Sequence, residues 1–463
     1  MKLFIYPIST VNMIKKLVTV LIFVSASSLS FGQGSDAKKV YTLKECIEIA
    51  LQNNLAVKRS ILGLKGADIT LDQSRFSMLP NLNLSSSGGS NWGRSIDPTT
   101  NQFLDQKIDN ANINTNASLL LFNAFRVMNT IRQSVNDKAA AENDYTKAKN
   151  DVILNVITFY TSVIFNQELF QNAQYQLKTT EQQLERTKKL EQAGSVPFGN
   201  VLDLEAQNAT NELNLIQREN AYNLSLLQLK QALQLPASTP LEIEVPALSV
   251  ENQVIDQTTE QIYDLARQNM PEIKAAIYRI ESANFGLKSA RGSYYPRLSL
   301  NAGAFTNYSS AARTIQNGVL VEKPFNDQFS DNVSRSLSLG LTMPIFNSYN
   351  ARANVLRSKV TRETANINLT DVENRLRQAI ETAYTDAIAA AKTFTSSAKA
   401  VKAREEAFRM TKQRYDAGAS NYVDYQVSEN NLFQSKSDQV RAKYDLIFKK
   451  KVLDFYQGKP IDY

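Results

Sequence analysis

"LEQAGSVPFGNVLDLEAQ" (residues 190–207) and "YDAGASNYVDYQ" (residues 415–426) each interrupt a long helix-forming run with Ala-Gly and then resume it. A glycine just past the last helical turn supplies the left-handed backbone that ends a helix. Both stretches therefore predict two antiparallel helices joined by a tight tip. Gly194 and Gly418 lie 224 residues apart, and so do Phe122-Asn123 and Phe346-Asn347, and Tyr160 and Tyr384. Further upstream Ala50 pairs with Ala266, Lys58 with Lys274, Arg75 with Arg291 and Pro80 with Pro296, each 216 residues apart. The chain is thus a duplication. The two spacings differ by eight residues, which places an insertion between Pro296 and Phe346.

Each half reads as helix, two strands, long helix, turn, helix. Expected boundaries are 40–235 for the first half, with a β-hairpin at about 81–122, and 257–457 for the second, with a β-hairpin at about 297–346. A Pro-containing linker (236–256) joins them, and residues 458–463 form a C-terminal tail. Ile380, Ala387, Phe394, Val401, Phe408 and Tyr415 recur every seven residues, and Val156, Val163, Phe170, Leu177 and Leu184 hold the same frame. That is the seam of helices packed along their length. The more polar Gln167 and Gln174 loosen it in the first half. A helix of roughly 70 residues is about 100 Å long, and the flanking helices expected near 43–77 and 199–234 would match it end to end. The same arrangement recurs near 260–293, 348–416 and 422–456.

Pro80 and Pro296 end helices and open strands, because the residue before proline is pushed out of α geometry. "VSRSLSLGLTMPIF" alternates Leu337, Leu339, Leu341, Met343 and Ile345 against Ser336, Ser338, Gly340 and Thr342. "PRLSLNAGA" does the same. Such alternation fits a half-buried soluble sheet or a membrane barrel strand. About 10 residues suffice to cross a bilayer at a tilt, and the hairpins carry long polar tips. Tyr294, Tyr295, Phe122 and Phe346 stand at the strand ends, either as an interfacial girdle or as packing at a helix–sheet junction. Four strands cannot sit open in lipid, since their edges would leave backbone groups unpaired. A membrane barrel would have to be shared among chains.

The composition bounds the function. The 463 residues include 52 Lys+Arg, 45 Asp+Glu, no histidine and one cysteine, with a net charge of +7. "MIKKLVTVLIFVSASSLSFGQ" has the lysines, short apolar run and small residues of an export signal, expected to span 1–32 with cleavage before Gln33, and Met13 is a second candidate start. The apolar run is too short to span a bilayer, and no later stretch of 18 consecutive apolar residues follows. Basic residues are interspersed with acids apart from Lys449–Lys451, so nucleic acid is not an expected partner. The absence of histidine excludes histidine triads and histidine metal ligands. With no phosphate-binding loop either, neither an enzyme nor a cofactor or metal site is expected. Cys46, among Ile47, Ile49 and Ala50, reads as a core thiol.

Order and duplication carry a resemblance. "LKECIEIALQNN", "LPNLNLS", "LLLFNAF" and the first tip, with "YPRLSLN", "MPIFNSY" and the second tip, resemble the TolC-like outer-membrane efflux proteins over essentially the whole mature chain. The resemblance implies a mainly α fold with a small β part: a homotrimer sharing a twelve-stranded transmembrane β-barrel, continued by a long periplasmic α-helical barrel. It implies a passive exit duct of a tripartite efflux or type I secretion system for small molecules or polypeptides. Its partners would be a periplasmic adaptor and an inner-membrane pump of RND, ABC or MFS type, with the barrel in outer-membrane lipid. By similarity Tyr415 and Asp424 close the periplasmic mouth, alongside Ser420 and, in the first half, Asn200. Gly194, Ser195, Gly418 and Ala419 would form the adaptor-docking tips. The family pattern has an arginine where Ser420 stands and a second aspartate where Val427 stands, so this gate carries fewer charges. A plain helix-start acid is the other reading of Asp424. A periplasmic coiled-coil scaffold or an adaptor is the alternative function, although an adaptor would carry one helical hairpin rather than two.

Overall fold

The computed structural model describes residues 40–96, 101–105, 107–245 and 257–459. The expected export signal, most of the expected linker and the end of the C-terminal tail lie outside the described residues. In chain order the elements are β1 (Val40–Tyr41), α1 (Leu43–Asn53), α2 (Leu55–Phe76), β2 (Asn81–Asn91), β3 (Arg94–Ile96), β4 (Phe103–Asp105), β5 (Ile108–Phe122), α3 (Arg126–Gln192) and α4 (Phe198–Ala232). Next come β6 (Glu242–Ile243), α5 (Thr259–Asn269), α6 (Pro271–Arg291), a 3-10 turn (Gly292–Tyr294), β7 (Arg297–Ser309), β8 (Arg313–Gln316) and β9 (Val319–Glu322). The last are α7 (Phe325–Asp331), β10 (Ser334–Thr342), α8 (Asn350–Asp416) and α9 (Tyr422–Tyr456).

Duplication survives in detail. The long helices α3 and α8 each have 67 residues, and their return helices α4 and α9 each have 35. Two expectations need correction. The single helices expected near 43–77 and 260–293 are each broken, at Asn54 and Met270. Met270 precedes Pro271 and is held extended (ψ 129°), as a residue before proline must be. Asn54 takes the same backbone without a proline and caps α2 by accepting from the Ala56 N–H at 2.8 Å. The long tips between strands also contain structure: small hairpins β3–β4 and β8–β9, and the extra helix α7. The β8–β9 turn is built on Asn317-Gly318, both at positive φ, the preferred pair for a two-residue hairpin. Placement of α7 inside the longer second loop accounts for the inserted residues.

The four long strands form one antiparallel sheet in the order β10-β7-β5-β2. Its register sets Leu82 opposite Ala117, Leu300 opposite Leu119, and Leu337, Leu339 and Leu341 opposite Ala302, Leu300 and Leu298. One face is therefore apolar across all four strands. The other carries Asn81, Asn83, Asn116, Ser118, Asn301, Ser299, Ser336 and Ser338, with Ser118 donating to Asn301 Oδ1 at 2.9 Å. A slip of one residue would exchange the faces.

Helices pack in the same order. Nearest the sheet, α2 lies against α3, α3 against α6 and α6 against α8. Towards the tips, α4 lies against α3, α3 against α9 and α9 against α8. Between the two levels sits the main core, where Cys46, Ala50, Val156, Ile157, Tyr160, Val163, Ile164, Leu229 and Leu233 are buried together. Burial pushes the Cys46 thiol up to about 12, with the Glu45 charge adding to the effect. Tyr160 donates to the carbonyls of Glu244 (2.7 Å) and Tyr41 (3.3 Å), fastening the middle of α3 to the β1–β6 pair. By length and composition one window of α3 is apolar enough to cross a membrane. Its Val152, Val156, Ile157, Val163 and Ile164 are instead consumed by this core.

Strand passes to helix through two consecutive left-handed residues in each half, Ala124-Phe125 and Ser348-Tyr349. Nearby, Gly292 abuts Arg126: a Cβ there would stand 2.3 Å from Arg126 Cγ and 3.2 Å from the Ala124 carbonyl. Gly292→Ala should destabilise the junction by about 1–3 kcal/mol. Adding Arg126→Ala should recover most of that loss, measured by denaturation in detergent.

Candidate functional site

The two tips close by the same hydrogen bonds. After α3, Gly194 sits at φ +75°, its N–H donates to the Glu191 carbonyl, and Ser195 donates to Leu190. After α8, Gly418 sits at φ +71°, with Gly418 donating to Tyr415 and Ala419 to Arg414. This is the paired C-terminal turn that absorbs the last helical carbonyls. Gly194, Ser195, Gly418 and Ala419 thus occupy equivalent, exposed places at the two tips.

Asp424 is the third residue of α9. Its N–H donates to the N-cap Asn421 Oδ1 at 2.8 Å, and its carboxylate accepts from Ser420 Oγ at 3.1 Å. Helix-start chemistry is therefore realised at Asp424, while its side chain stays exposed. Ser420 and Asp424 are brought together. Asn200, at the matching place on α4, is hydrogen-bonded through neither of these side chains among the described residues. Tyr415 joins a different group: it packs on Tyr425 (5.0 Å between ring centres) and Tyr422 (6.2 Å), with Phe408 against Tyr425 (5.4 Å). Leu204 of α4 and Leu184 of α3 complete this cluster, which joins the two hairpins.

Sequence reasoning placed Leu184, Phe408 and Tyr415 in the helix seam but missed Leu204, Tyr422 and Tyr425. Tyr422, Tyr425 and Glu429 follow a spacing of three and four, one face of a helix, and that signal was available. Burial holds the Tyr422 and Tyr425 hydroxyls above the ordinary phenol value, and the nearby Glu429 charge adds to it. Other links between hairpins are Arg186 to Asp416 at 3.3 Å, Gln176 to Asn430 at 3.4 Å, and a bond from Gln426 Nε2 to Gln207 Oε1. Arg186 and Asp416 are exposed, so their pairing is worth about 1 kcal/mol at most.

At the opposite end the apolar strand face has no cover within the chain: Leu337, Leu339 and Leu341 are 74%, 66% and 71% exposed. Phe122, Phe346, Tyr294 and Tyr295 are exposed as well, so they do not act as core at the helix–sheet junction of one chain. Pro80 and Pro296 directly precede β2 and β7.

A family model described as "Outer membrane efflux protein" matches residues 46–234 and 262–457. The chain belongs to that family. It is 20% identical to the outer membrane efflux protein BepC of Brucella suis over 437 residues, covering 94% of this chain and 88% of BepC. It is also 20% identical to the alkaline protease secretion protein AprF of Pseudomonas aeruginosa, covering 83% and 77%. The fold matches the outer membrane protein VceC of Vibrio cholerae with a TM-score of 0.75 at 18% identity, covering 91% of this chain and 97% of VceC. This efflux-family member is an outer-membrane export channel whose helices form the periplasmic part. The family and fold are those of channels rather than of enzymes. Members of the family serve efflux systems, and two helical hairpins, rather than one, set this chain apart from an adaptor.

Because burial holds both hydroxyls neutral, their contribution to the cluster is fully present below about pH 10 and is lost as pH rises beyond it. In a near-ultraviolet titration, replacing Tyr422 and Tyr425 by Phe should leave the first phenolate step unchanged and remove only late-ionising amplitude.

Proposed function

We propose that three copies of this chain close into one ring, forming a twelve-stranded barrel above and a helical tunnel below. The single observation that carries this reading is a coincidence of edges. In the sheet β2 and β10 are the outer strands; among the helices α2 and α4 lie at one side and α8 at the other. One rotation therefore brings β10 of one copy to β2 of the next, and α8 to α2 and α4. Apolar residues mark the proposed helical contact. Leu55, Leu62, Ile69 and Phe76 recur every seven residues on α2 and are exposed, as are Leu202, Leu213, Ile216 and Leu224 on α4 and Leu356, Val360 and Ile367 on α8. Barrels in this setting begin at about eight strands, so two copies would be the minimum; the resemblance favours three.

In this reading the apolar strand face meets lipid and the Asn/Ser face lines the lumen. The aromatic strand ends lie at the lipid–water boundary. The tips form the periplasmic mouth, narrowed by Tyr415 and by a ring of Asp424 carboxylates supported by Ser420, with Asn200 supplying the uncharged first-half counterpart. A ring of carboxylates at a constriction attracts cations. The tips around Gly194, Ser195, Gly418 and Ala419 would meet a periplasmic adaptor, and an inner-membrane pump of RND, ABC or MFS type would supply the energy. AprF's name adds polypeptides to small molecules as candidate cargo.

Native mass spectrometry of the detergent-purified protein should give three copies, and the protein should fractionate with outer membranes. A water-soluble monomer would overturn the reading. Leu339→Arg should cost about 2–4 kcal/mol if it faces mid-bilayer and abolish assembled trimer, while Ser338→Arg should be tolerated. In planar bilayers Asp424→Ala should raise conductance or weaken divalent-cation block. Unchanged conductance and block would remove Asp424 from the mouth.

A further inference from the structure

Glu429 is the one buried acidic or basic side chain among the described residues, at 8% exposure. It lies on α9 one turn beyond Tyr425, whose hydroxyl donates to Glu429 Oε1 at 3.3 Å. Among the described residues it forms no ion pair. Its flanking residues cross to the first hairpin: Gln426 donates to Gln207 of α4, and Asn430 accepts from Gln176 of α3. Tyr422 and Tyr425, on its own face of α9, pack with Leu204 of α4. The carboxyl thus stands about two turns into α9, beside the residues that cross the seam between hairpins.

The surrounding groups can be named element by element. From α9 come Tyr422 and Tyr425. From α8 come Lys412, whose charge acts on Glu429, and Tyr415 and Asp416, which act on the neighbouring tyrosines. From α4 comes Asp203, which acts on Tyr422. From α3 comes Arg186, already engaged with Asp416. Lys412 favours the ionised carboxyl, but it belongs to the same hairpin and does not pair with it. Burial is the larger effect and raises the Glu429 carboxyl above its ordinary value, against the opposing Tyr425 bond and Lys412.

A neutral carboxyl can remain in such a seam with one hydroxyl partner. An ionised one needs water or a cation, and water reaches it when the hairpins separate. We propose that Glu429 is a proton-controlled fastening of the two hairpin tips: neutral, it keeps them packed; ionised, it hydrates the seam and lets them part. It acts as a positioning residue for the mouth, and its link to conduction rests on the gate reading above. The sign follows from burial. The group favours packing most at acidic pH, and that contribution is lost as pH rises from the ordinary carboxyl range through the raised value. Each pH unit in that window shifts the packed-to-parted ratio by up to about tenfold.

The test uses the full-length protein in lipid. Cys46 is buried, so a thiol introduced by Gln207→Cys reports water access to the seam. Labelling rates are compared at each pH between this parent and the same protein carrying Glu429→Gln, so thiol ionisation and the titration of other groups cancel in the ratio. The ratio should stay near one in the acidic range and climb by about tenfold towards mildly alkaline pH. A ratio that does not change with pH overturns the fastening, whether or not the protein conducts. Conductance recorded in parallel separates the two readings: a rising ratio with pH-independent conductance upholds the fastening and removes the gate assignment.

Discussion

Backbone amides and carbonyls cannot be left bare in hydrocarbon, and that requirement governs everything else in this molecule. The strands β2 and β10 each end the sheet with one edge unpaired within the chain, while the face they share is leucine-rich and uncovered. Covering that face with the chain's own helices is not what the sequence does: the helices continue away from the sheet and pack with one another. Completion must come from outside the chain. Because sheet and helix layers run in the same order, closing one closes the other.

Duplication makes this economical. Each half contributes one hairpin of strands and one hairpin of helices, and the halves meet in the sheet at β5–β7 and in the helical part along α3 with α6 and α9. Identical helix lengths, with identical glycine turns at their ends, bring both tips to one level. The halves then diverge in chemistry at that level. The first tip begins α4 with Pro197 and Phe198, without a side-chain cap; the second begins α9 with a capping Asn421, a supported Asp424 and a tyrosine cluster. The tips are thus asymmetric within each chain: both carry charged side chains, but the aromatic rings of the cluster all belong to the second hairpin.

Much of this was legible in residues. Ala-Gly at 193–194 and 417–418 located both tips to the residue, and alternation in "SRSLSLGLT" located β10 and its faces. Other features were not legible for specific reasons. The break at Asn54 has no proline to announce it and was visible only by analogy with Met270-Pro271. The apolar positions of α3 satisfy a composition test for a membrane span, yet their partners come from α1, α4 and α9, far away in sequence. Glu429 looks like any helix-surface acid in a chain with 45 acidic residues. Only the packing of the folded chain around it, with Tyr425 one turn away, makes it a buried one.

The sequence alone determined periodicities: heptads for packed helices, period two for strands, glycine for the tips, and a spacing that betrays the duplication. Those are local properties, set by how each residue type fits the backbone next to it. The tertiary structure decided which faces meet: that the leucine face stays uncovered, that sheet and helices share their edges, and that one carboxyl is buried beside Tyr425. Contacts between residues more than two hundred positions apart depend on the register of whole elements, and no local pattern encodes that register.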